Sequence, residues 1–192
     1  MTVCLKVCRT VLGVWLVWML ALAADAAAEA PRAGGALPPI ELEAPMEPGI
    51  DTYLGVAPGS RFTIPQIKAR VVIVEIFSMY CPYCQREAPN VNALFEKIQA
   101  DPKLRPHVKL IGIGAGNSAY EVQVFRDTYH IQFPLFPDGD FSIHKCVGEV
   151  RTPFFMAVQL DPQGPPQLIY AAAGGPQDMD AFLRKVTAGV IP

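Results

Sequence analysis

The stretch Glu75-Ile-Phe-Ser-Met-Tyr-Cys-Pro-Tyr-Cys-Gln-Arg-Glu-Ala-Pro89 decides the fold of this chain. It continues the run Val71–Phe77, in which β-branched and aromatic residues follow one another almost without a break, as is typical of a buried central strand. After the cysteines, four apolar residues recur at helical spacing until Pro102 interrupts the pattern. They are Ala88, Val91, Phe95 and Ile98. The stretch therefore predicts a strand that passes directly into a helix, with Cys81 at the junction.

Further strands and helices alternate along the rest of the chain. The predicted strands are Val108–Ile113, Phe154–Leu160 and Gln167–Ala172, and the predicted helices are Ala119–Tyr129 and a last one that opens at Pro176 and ends near Gly189. The turn sequence Asp161-Pro-Gln-Gly164 separates the last two strands, so we expect them to form an antiparallel hairpin. This order predicts an α/β fold with a mixed central sheet and helices on both faces.

The placement of Cys81 points to thiol chemistry. Pro82 suits the first helical turn, where its missing N–H group costs nothing. The free N–H groups of that turn and the helix dipole favour a thiolate at Cys81. We therefore predict Cys81 as the nucleophile and Cys84, one turn inside the helix, as the resolving thiol. A bare Cys-x-x-Cys also occurs in zinc sites, but those normally add a second pair or two closely spaced histidines, and the sequence has neither.

Two further positions are candidates for the same site. Glu75 places a carboxyl group in the most apolar strand of the chain, where burial would raise its pKa and would let it carry protons to and from Cys84. The alternative for Glu75 is a place at the strand edge, paired with a surface cation. Thr152-Pro153 precedes a predicted strand, and base rates for X-Pro bonds favour a trans peptide there.

Composition limits the class of protein. The chain has 192 residues, 18% of them charged and 51% hydrophobic, and a formal net charge of −2, which fits one globular domain and gives no basic footprint for nucleic acid. Residues 1–28 resemble a secretory signal, in which a positive start precedes the apolar run 11–23 and small residues. An uncleaved N-terminal anchor is the alternative. We predict a Pro- and Gly-rich extended linker over 29–52 and the folded domain over 53–192.

The residues around the cysteines resemble the thioredoxin-fold oxidoreductases, and most closely the exported TlpA/ResA-like branch. Phe62–Val74 is similar to the approach to the first core strand of that family, and Cys84-Gln-Arg-Glu-Ala-Pro89 to its C-x-x-E-x-P helix start. The segment from Glu75 to Cys84 also resembles DsbA-type oxidants. Tyr80 stands where the family usually has tryptophan.

The resemblance implies roles for individual residues. Glu75 would be the buried proton carrier, and Pro153 the cis-proline beside the cysteines. Thr152 would hold the substrate chain through its backbone, and the exposed residues of the motif would contact substrate. These are Tyr80, Pro82 and Tyr83. The implied fold is the thioredoxin-like version of the mixed sheet, and the redox-active disulfide Cys81–Cys84 would serve without a further cofactor or metal.

The resemblance also implies an activity. We expect an exported, periplasmic protein disulfide oxidoreductase that exchanges disulfides with protein thiols and draws electrons from a membrane thiol carrier. Reduction, for example in cytochrome c maturation, is expected rather than oxidation, because Tyr83 supplies no positive charge between the cysteines. A DsbA-like oxidant and a copper chaperone that uses the two thiols with His144 remain alternatives. In an exported peroxidase, a proline would stand where Val74 does. The oligomeric state stays open.

Cys146 is the third cysteine of the predicted mature chain, since Cys4 and Cys8 lie in the signal. It lies in the sequence Ile143-His-Lys-Cys-Val147, which is typical of a helix end with an apolar side facing inward. Free cysteine is among the most buried residue types. We therefore expect Cys146 to be a buried structural residue and not a third redox centre. The alternative for an unpaired cysteine in an exported protein is pairing between molecules or metal capture.

Overall fold

The structure is a computed structural model that describes residues 28–191. Its strands are β1 (Glu41–Glu43), β2 (Arg61–Thr63), β3 (Val71–Phe77), β4 (Val108–Ala115), β5 (Leu135–Asp138), β6 (Phe154–Gln159) and β7 (Gln167–Ala173). Its α-helices are α1 (Ile50–Leu54), α2 (Pro82–Ala100), α3 (Ala119–Tyr129), α4 (Ser142–Cys146) and α5 (Met179–Thr187), and a 3-10 turn covers Ile64–Gln66. The predicted signal sequence lies almost wholly outside the described residues.

Strand β3 is the centre of a five-stranded sheet with the order β5-β4-β3-β6-β7. Strands β3, β4 and β5 run parallel, whereas β6 is antiparallel to both β3 and β7. The predicted antiparallel hairpin is therefore present as β6 and β7. Every residue of β3 is buried, as expected for a strand that is covered on both faces. The mixed α/β sheet predicted from the sequence is confirmed.

Each face of the sheet is covered by its own set of elements. On one face, β3 presents Val71, Ile73 and Phe77 to apolar side chains of α2, α3 and α5. On the other face, Val72, Val74 and Ile76 pack against α1, α4 and the two-stranded sheet of β1 and β2. The alternation follows from the period-two geometry of a strand. Helices thus lie on both faces, and α2, which begins at the cysteine motif, lies on the same face as α3 and α5.

The segment 29–52 is not the linker that its composition predicts. Within it, β1 pairs with β2 in an antiparallel ladder, and Ile40, Leu42 and Ile50 are buried in the core. Gly34 also donates its N–H group to the carbonyl oxygen of Leu168, at 2.7 Å. Pro and Gly set the turns of this segment, but its few apolar residues fill the face of the sheet that α2 leaves open. The folded unit therefore begins before residue 53.

Helix α5 begins later than predicted. Pro176 was expected to open it, yet the first helical residue is Met179. The Asp178 carboxylate accepts a hydrogen bond from the N–H group of Ala181 at 2.9 Å and so caps the helix. Asp178 thus satisfies an N–H group of the first helical turn and fixes the start of the helix beyond Pro176. Among residues 28–191, no helix is long and apolar enough to cross a membrane.

Candidate active site

Cys81 lies in the connection between strand β3 and helix α2, directly before the first helical residue. It is the N-cap residue of α2, and its own N–H group donates to the carbonyl oxygen of Ser78 at 3.0 Å. Pro82 occupies the first helical turn, as predicted. Partial burial raises the pKa of the Cys81 thiol, but hydrogen bonds from Thr152 and from the first turn of α2 lower it, and the net pKa lies below the ordinary value. The geometry therefore favours a thiolate on a half-buried sulfur.

Cys84 has the opposite environment. Its side chain is fully buried in the core between α2 and the sheet, one helical turn behind Cys81. Burial raises the pKa of the Cys84 thiol far above its usual range, and the nearby charges of Glu75 and Cys81 raise it further. The two thiols are free in the structure. A reactive outer thiol and a protonated inner thiol are the pairing that disulfide exchange through a mixed disulfide needs.

The Thr152–Pro153 peptide bond is cis, as the family resemblance implies and against the base rate. It precedes β6, which pairs with β3, and so the loop is held beside the cysteine motif. The Cys81 thiol donates to the carbonyl oxygen of Thr152, with Sγ and oxygen 3.2 Å apart. The backbone of Thr152 is thus within reach of any chain that is bound to Cys81.

Glu75 is buried, with 3% of its surface exposed, and lies in the central strand rather than at the sheet edge. The alternative of an edge residue paired with a surface cation is therefore wrong. Residues 71, 73 and 77 of β3 face α2, and Glu75 shares their side of the strand. Burial raises the pKa of Glu75 to about 8, and the negative charge of Glu87 contributes to the rise. Near neutral pH the carboxyl group keeps its proton behind Cys84.

Glu87 is a residue to which the sequence analysis gave no role. It follows Cys84 by three positions, so both side chains project from the same side of α2. The Glu87 carboxyl group lies against Gly175, where an added Cβ would come within 2.1 Å of Oε1, and this oxygen has no hydrogen-bond partner among the described residues. Burial raises the pKa of Glu87 as well. The three-residue spacing from Cys84 could have indicated from the sequence that Glu87 lies near the site. The contact with Gly175 could not have been predicted in this way.

A cleft of about 390 Å³ opens beside the cysteine motif. Its walls come from α2, from the cis-proline loop and from the end of β7. The lining residues are Tyr83, Arg86, Glu87, Arg151, Thr152, Pro153 and Ala173–Gly175. The Arg86 guanidinium stacks on the ring of Tyr83, 4.5 Å from its centroid. Tyr80, Pro82 and Tyr83 are exposed, so the predicted substrate-contacting residues surround Cys81.

The structure does not assemble the copper site considered from the sequence. His144 lies in α4, on the other side of the sheet from Cys84, and its Nε2 atom is 2.9 Å from the carbonyl oxygen of Val150. No group of three or more His, Cys, Asp or Glu side chains within residues 28–191 is arranged to hold a metal ion. The two thiols therefore have no third ligand of these types in the described part of the chain.

Cys146 is exposed, so the prediction that it is buried is wrong. The inward-facing residue at this helix end is Val147, which is fully buried. Helix α4 has only five residues and is capped by Asp138, whose carboxylate accepts from the N–H groups of Ile143 and His144. This cap turns the helix so that Cys146 points to solvent.

Comparison with known proteins agrees with the fold. The sequence profile of the AhpC/TSA family matches residues 38–161. Among curated proteins, a thiol-disulfide oxidoreductase named ResA from Halalkalibacterium halodurans is 24% identical over 102 residues, which are 53% of this chain and 55% of that protein. The chain thus spans about half the length of this relative.

Solved structures give the same fold. The structure of dsbF from MTB, in mixed oxidized and reduced forms, superposes with a TM-score of 0.52 at 24% identity and covers 68% of this chain and 88% of that one. A putative protein disulfide isomerase from Bacteroides thetaiotaomicron has a TM-score of 0.61 at 15% identity and covers 83% and 90%. At these identities the likeness establishes the fold, and the predicted thioredoxin-like architecture is confirmed.

Proposed function

This chain belongs to the AhpC/TSA family of thioredoxin-fold proteins, and from that premise we propose that it is an exported thiol–disulfide oxidoreductase that reduces protein disulfides. The observation that carries the proposal is the contrast between the two cysteines. Cys81 is half-buried at the N-terminus of α2 with a lowered pKa, and Cys84 is fully buried with a raised one.

The proposed reaction has two steps. The Cys81 thiolate attacks a substrate disulfide, forms a mixed disulfide and releases one substrate sulfur as a thiolate, which takes up a proton. Cys84 then loses its proton and attacks Cys81 Sγ, which forms the Cys81–Cys84 disulfide and releases the second substrate thiol. The substrate gains two electrons and two protons, and the enzyme loses them. A reduced thiol carrier must return them in the same kind of exchange, and we propose a membrane thiol carrier for this step.

The buried carboxyl group of Glu75 is placed to act in the second step, the attack of Cys84 on Cys81. Glu75 lies behind Cys84, and its pKa of about 8 lets it hold or accept a proton near neutral pH. Cys84 cannot attack until it has lost its proton, and burial disfavours the thiolate. With a pKa of about 8, roughly one Glu75 carboxyl group in ten is deprotonated at pH 7, and this carboxylate can take the proton as the attack begins.

The charges near the sulfurs support the proposed direction of electron flow. A cation near Cys81 would stabilise the thiolate and hence the reduced pair, which makes a stronger oxidant. Between the cysteines stand only Pro82 and Tyr83, and the groups behind Cys84 are the carboxyl groups of Glu75 and Glu87. Neither feature adds a positive charge to the stabilisation that the first turn of α2 gives the Cys81 thiolate. They support a reductant, for which apocytochrome c is one substrate consistent with the family resemblance.

Export is the part of the proposal that depends on sequence alone. Residues 1–28 have the pattern of a secretory signal or an N-terminal anchor. A reductant with this leader would act on exported proteins, whose cysteines become oxidised outside the cytoplasm.

The peroxidase alternative is the weaker one. Its frame requires a proline at position 74, which is Val74 here. Val74 is fully buried and faces away from α2, in the core formed with the N-terminal segment. This position therefore contributes packing rather than a wall of the cysteine site.

The reduction potential of the Cys81–Cys84 pair tests the direction. We expect a value well below the roughly −120 mV of the DsbA class. Tyr83→His is the matched variant, because it places a titratable cation between the cysteines and should raise the potential. A wild-type potential near −120 mV would make the chain an oxidant of the DsbA kind. Absence of thiol–disulfide turnover with intact cysteines would remove the enzyme proposal itself.

A further inference from the structure

The two peptide groups that flank the Cα atom of Met79 are each held by a side chain. The Met79 N–H group donates to Oδ1 of Asn117 at 2.8 Å. The Met79 carbonyl oxygen accepts from Nε2 of Gln85, also at 2.8 Å. Asn117 belongs to the loop between β4 and α3, whereas Gln85 belongs to α2. Met79 lies two residues before Cys81. Side chains from two separate elements therefore fix, by hydrogen bonds, the turn that leads to the nucleophile.

Asn117 is an unusual residue for its position. It is fully buried, which is costly for an amide unless its groups are bonded. Its Oδ1 atom is satisfied by Met79, while Nδ2 has no hydrogen-bond partner among the described residues. An apolar side chain of similar size would avoid the unpaired donor. The bond to Met79 is therefore the interaction that accounts for an amide at this place.

The loop that carries Asn117 is itself fixed. The Asn117 N–H group donates to the carbonyl oxygen of Gly114 at 3.0 Å, and Gly116 donates to that of Asp138 at 2.9 Å. Gly116 has a φ of +66°, and the ring of Phe141 fills the space that a side chain at Gly116 would need. Held in this way, the loop presents Oδ1 as a rigid acceptor.

The hydrogen bonds to Met79 also determine the position of the Cys81 sulfur, because one turn connects the two residues. The turn from Ser78 to Cys81 is closed by the bond from the Cys81 N–H group to the Ser78 carbonyl oxygen. Rotation of the Met79 peptide groups would move the Cys81 backbone. It would thereby move Sγ away from the free N–H groups of α2 and from the carbonyl oxygen of Thr152, 3.2 Å away. The hydrogen bonds from the Thr152 side chain and from the first turn of α2, which lower the Cys81 pKa, depend on that position.

We propose that Asn117 and Gln85 are positioning residues, which hold Met79 so that Cys81 Sγ stays at the N-terminus of α2 beside Thr152. They act through the backbone of Met79 and not on the reacting sulfur. The inference rests on the proposed function, in which Cys81 is the nucleophile.

The test follows the reaction of Cys81 with iodoacetamide across pH, in the reduced full-length protein, with the labelled cysteine identified by mass spectrometry. Asn117→Ala and Gln85→Met each remove one hydrogen bond without adding or removing a titratable group. We expect the midpoint of the pH profile to rise and the rate at mildly acidic pH to fall about fivefold in each variant. The titratable groups around the site stay in place. They are Cys84, Glu75, Glu87, Glu121, Tyr80, Tyr83, Arg86 and Arg151.

Asn92→Ala is the matched control. Asn92 also ties α2 to a distant element, the C-terminal end of α3, since its Nδ2 atom donates to the carbonyl oxygen of Tyr129 at 2.8 Å, and its other amide atom is likewise unpartnered among the described residues. It has no bond to the cysteine turn. We expect Asn92→Ala to change stability and to leave the Cys81 profile unchanged.

The outcomes separate the two proposals. Wild-type alkylation profiles in folded Asn117→Ala and Gln85→Met would overturn the positioning role, as would an equal shift in Asn92→Ala. If Asn117→Ala does not fold, Gln85→Met decides alone, because Gln85 is a half-buried helix residue. Full turnover by Cys81→Ser would instead remove the proposed function, whatever the Asn117→Ala and Gln85→Met variants do.

Discussion

The cysteine site has an exposed mouth around Cys81 and a buried interior around Cys84, and the two environments shift the pKa of a thiol in opposite directions. At the mouth, Cys81 is half-buried at a helix N-terminus and surrounded by exposed residues, and its pKa is lowered. In the interior, one helical turn away, Cys84 is fully buried next to the carboxyl group of Glu75, and its pKa is raised. The difference teaches that the spacing of the motif sorts the thiols: the helix start activates one, and the sheet behind it keeps the other protonated.

The strongest way to break this contrast is to remove each sulfur in turn. In Cys81→Ser and Cys84→Ser we expect disulfide turnover to fall by roughly 10³-fold or more, since each step of the exchange needs its own sulfur. Only Cys84→Ser should accumulate mixed disulfides with substrate, because its nucleophile is intact and its resolving thiol is gone. Non-reducing electrophoresis and mass spectrometry detect the adducts. Adducts on Cys81→Ser instead would reverse the assignment of the two roles.

The carboxyl group of the interior should make stability depend on pH. The pKa of Glu75 is raised to about 8 in the folded protein, against about 4.3 in an unfolded chain. The folded state therefore holds this proton where the unfolded state has lost it, so the contribution of Glu75 to stability is most favourable below pH 4 and is lost as pH rises toward 8. The full shift corresponds to about 5 kcal/mol, of which about 4 kcal/mol falls between pH 5 and pH 9. Denaturant unfolding at these two pH values measures that part.

Glu75→Gln provides the comparison for that prediction. The variant keeps the shape of the side chain without the charge, so the difference in unfolding free energy between variant and wild type should favour the variant more at pH 9 than at pH 5. Resolution of mixed disulfides should nevertheless become slower, since the amide cannot take a proton from Cys84. A variant whose turnover and unfolding both follow the wild-type pH curves would leave Glu75 without either role.

The mouth of the site was easier to predict than its interior. The buried strand, the helix start and the two thiols all follow from residues that are close in sequence. The depth of Glu75 depends on β3 being the central strand, which requires the pairing with β4 and β6. The contact between Glu87 and Gly175 joins positions 88 residues apart (175 − 87). No local pattern reports such a contact.

The same physical reason explains two of the wrong predictions, the linker and the burial of Cys146. Composition suggested a linker over 29–52, because Pro and Gly outnumber the apolar residues that nonetheless enter the core, such as Ile40 and Leu42. Cys146 was expected to be buried from helical spacing, but the direction of α4 is set by the carboxylate of Asp138 in the preceding strand. In both cases a tertiary contact overrode the local sequence.

Selective labelling sharpens the contrast without any mutation. At about pH 6.5, Cys81 should react with iodoacetamide at least roughly tenfold faster than Cys84, because the thiolate is the nucleophile and only Cys81 has both a lowered pKa and an accessible sulfur. Mass spectrometry of the reduced protein resolves the two sites. Denaturation in guanidinium should bring the two rates together, which shows that the fold causes the difference. Equal rates in the folded protein would contradict the contrast.

Cys146 should have the smallest effect of all. It is exposed on α4, on the face of the sheet opposite to α2, and so it is reactive toward solvent but remote in packing from Cys84. We expect Cys146→Ala to leave turnover within about twofold of wild type, since a surface substitution away from special features rarely exceeds about 0.5 kcal/mol. In the protein without residues 1–28, thiol counting should find one free thiol when it is oxidised and three when it is reduced. The oxidised protein should show that thiol without denaturant, because exposure and not burial leaves it free. Zero free thiols in the oxidised protein, or loss of turnover in a folded Cys146→Ala, would show that Cys146 takes part in the redox reaction. The site would then include α4 in addition to the surroundings of Cys81 and Cys84.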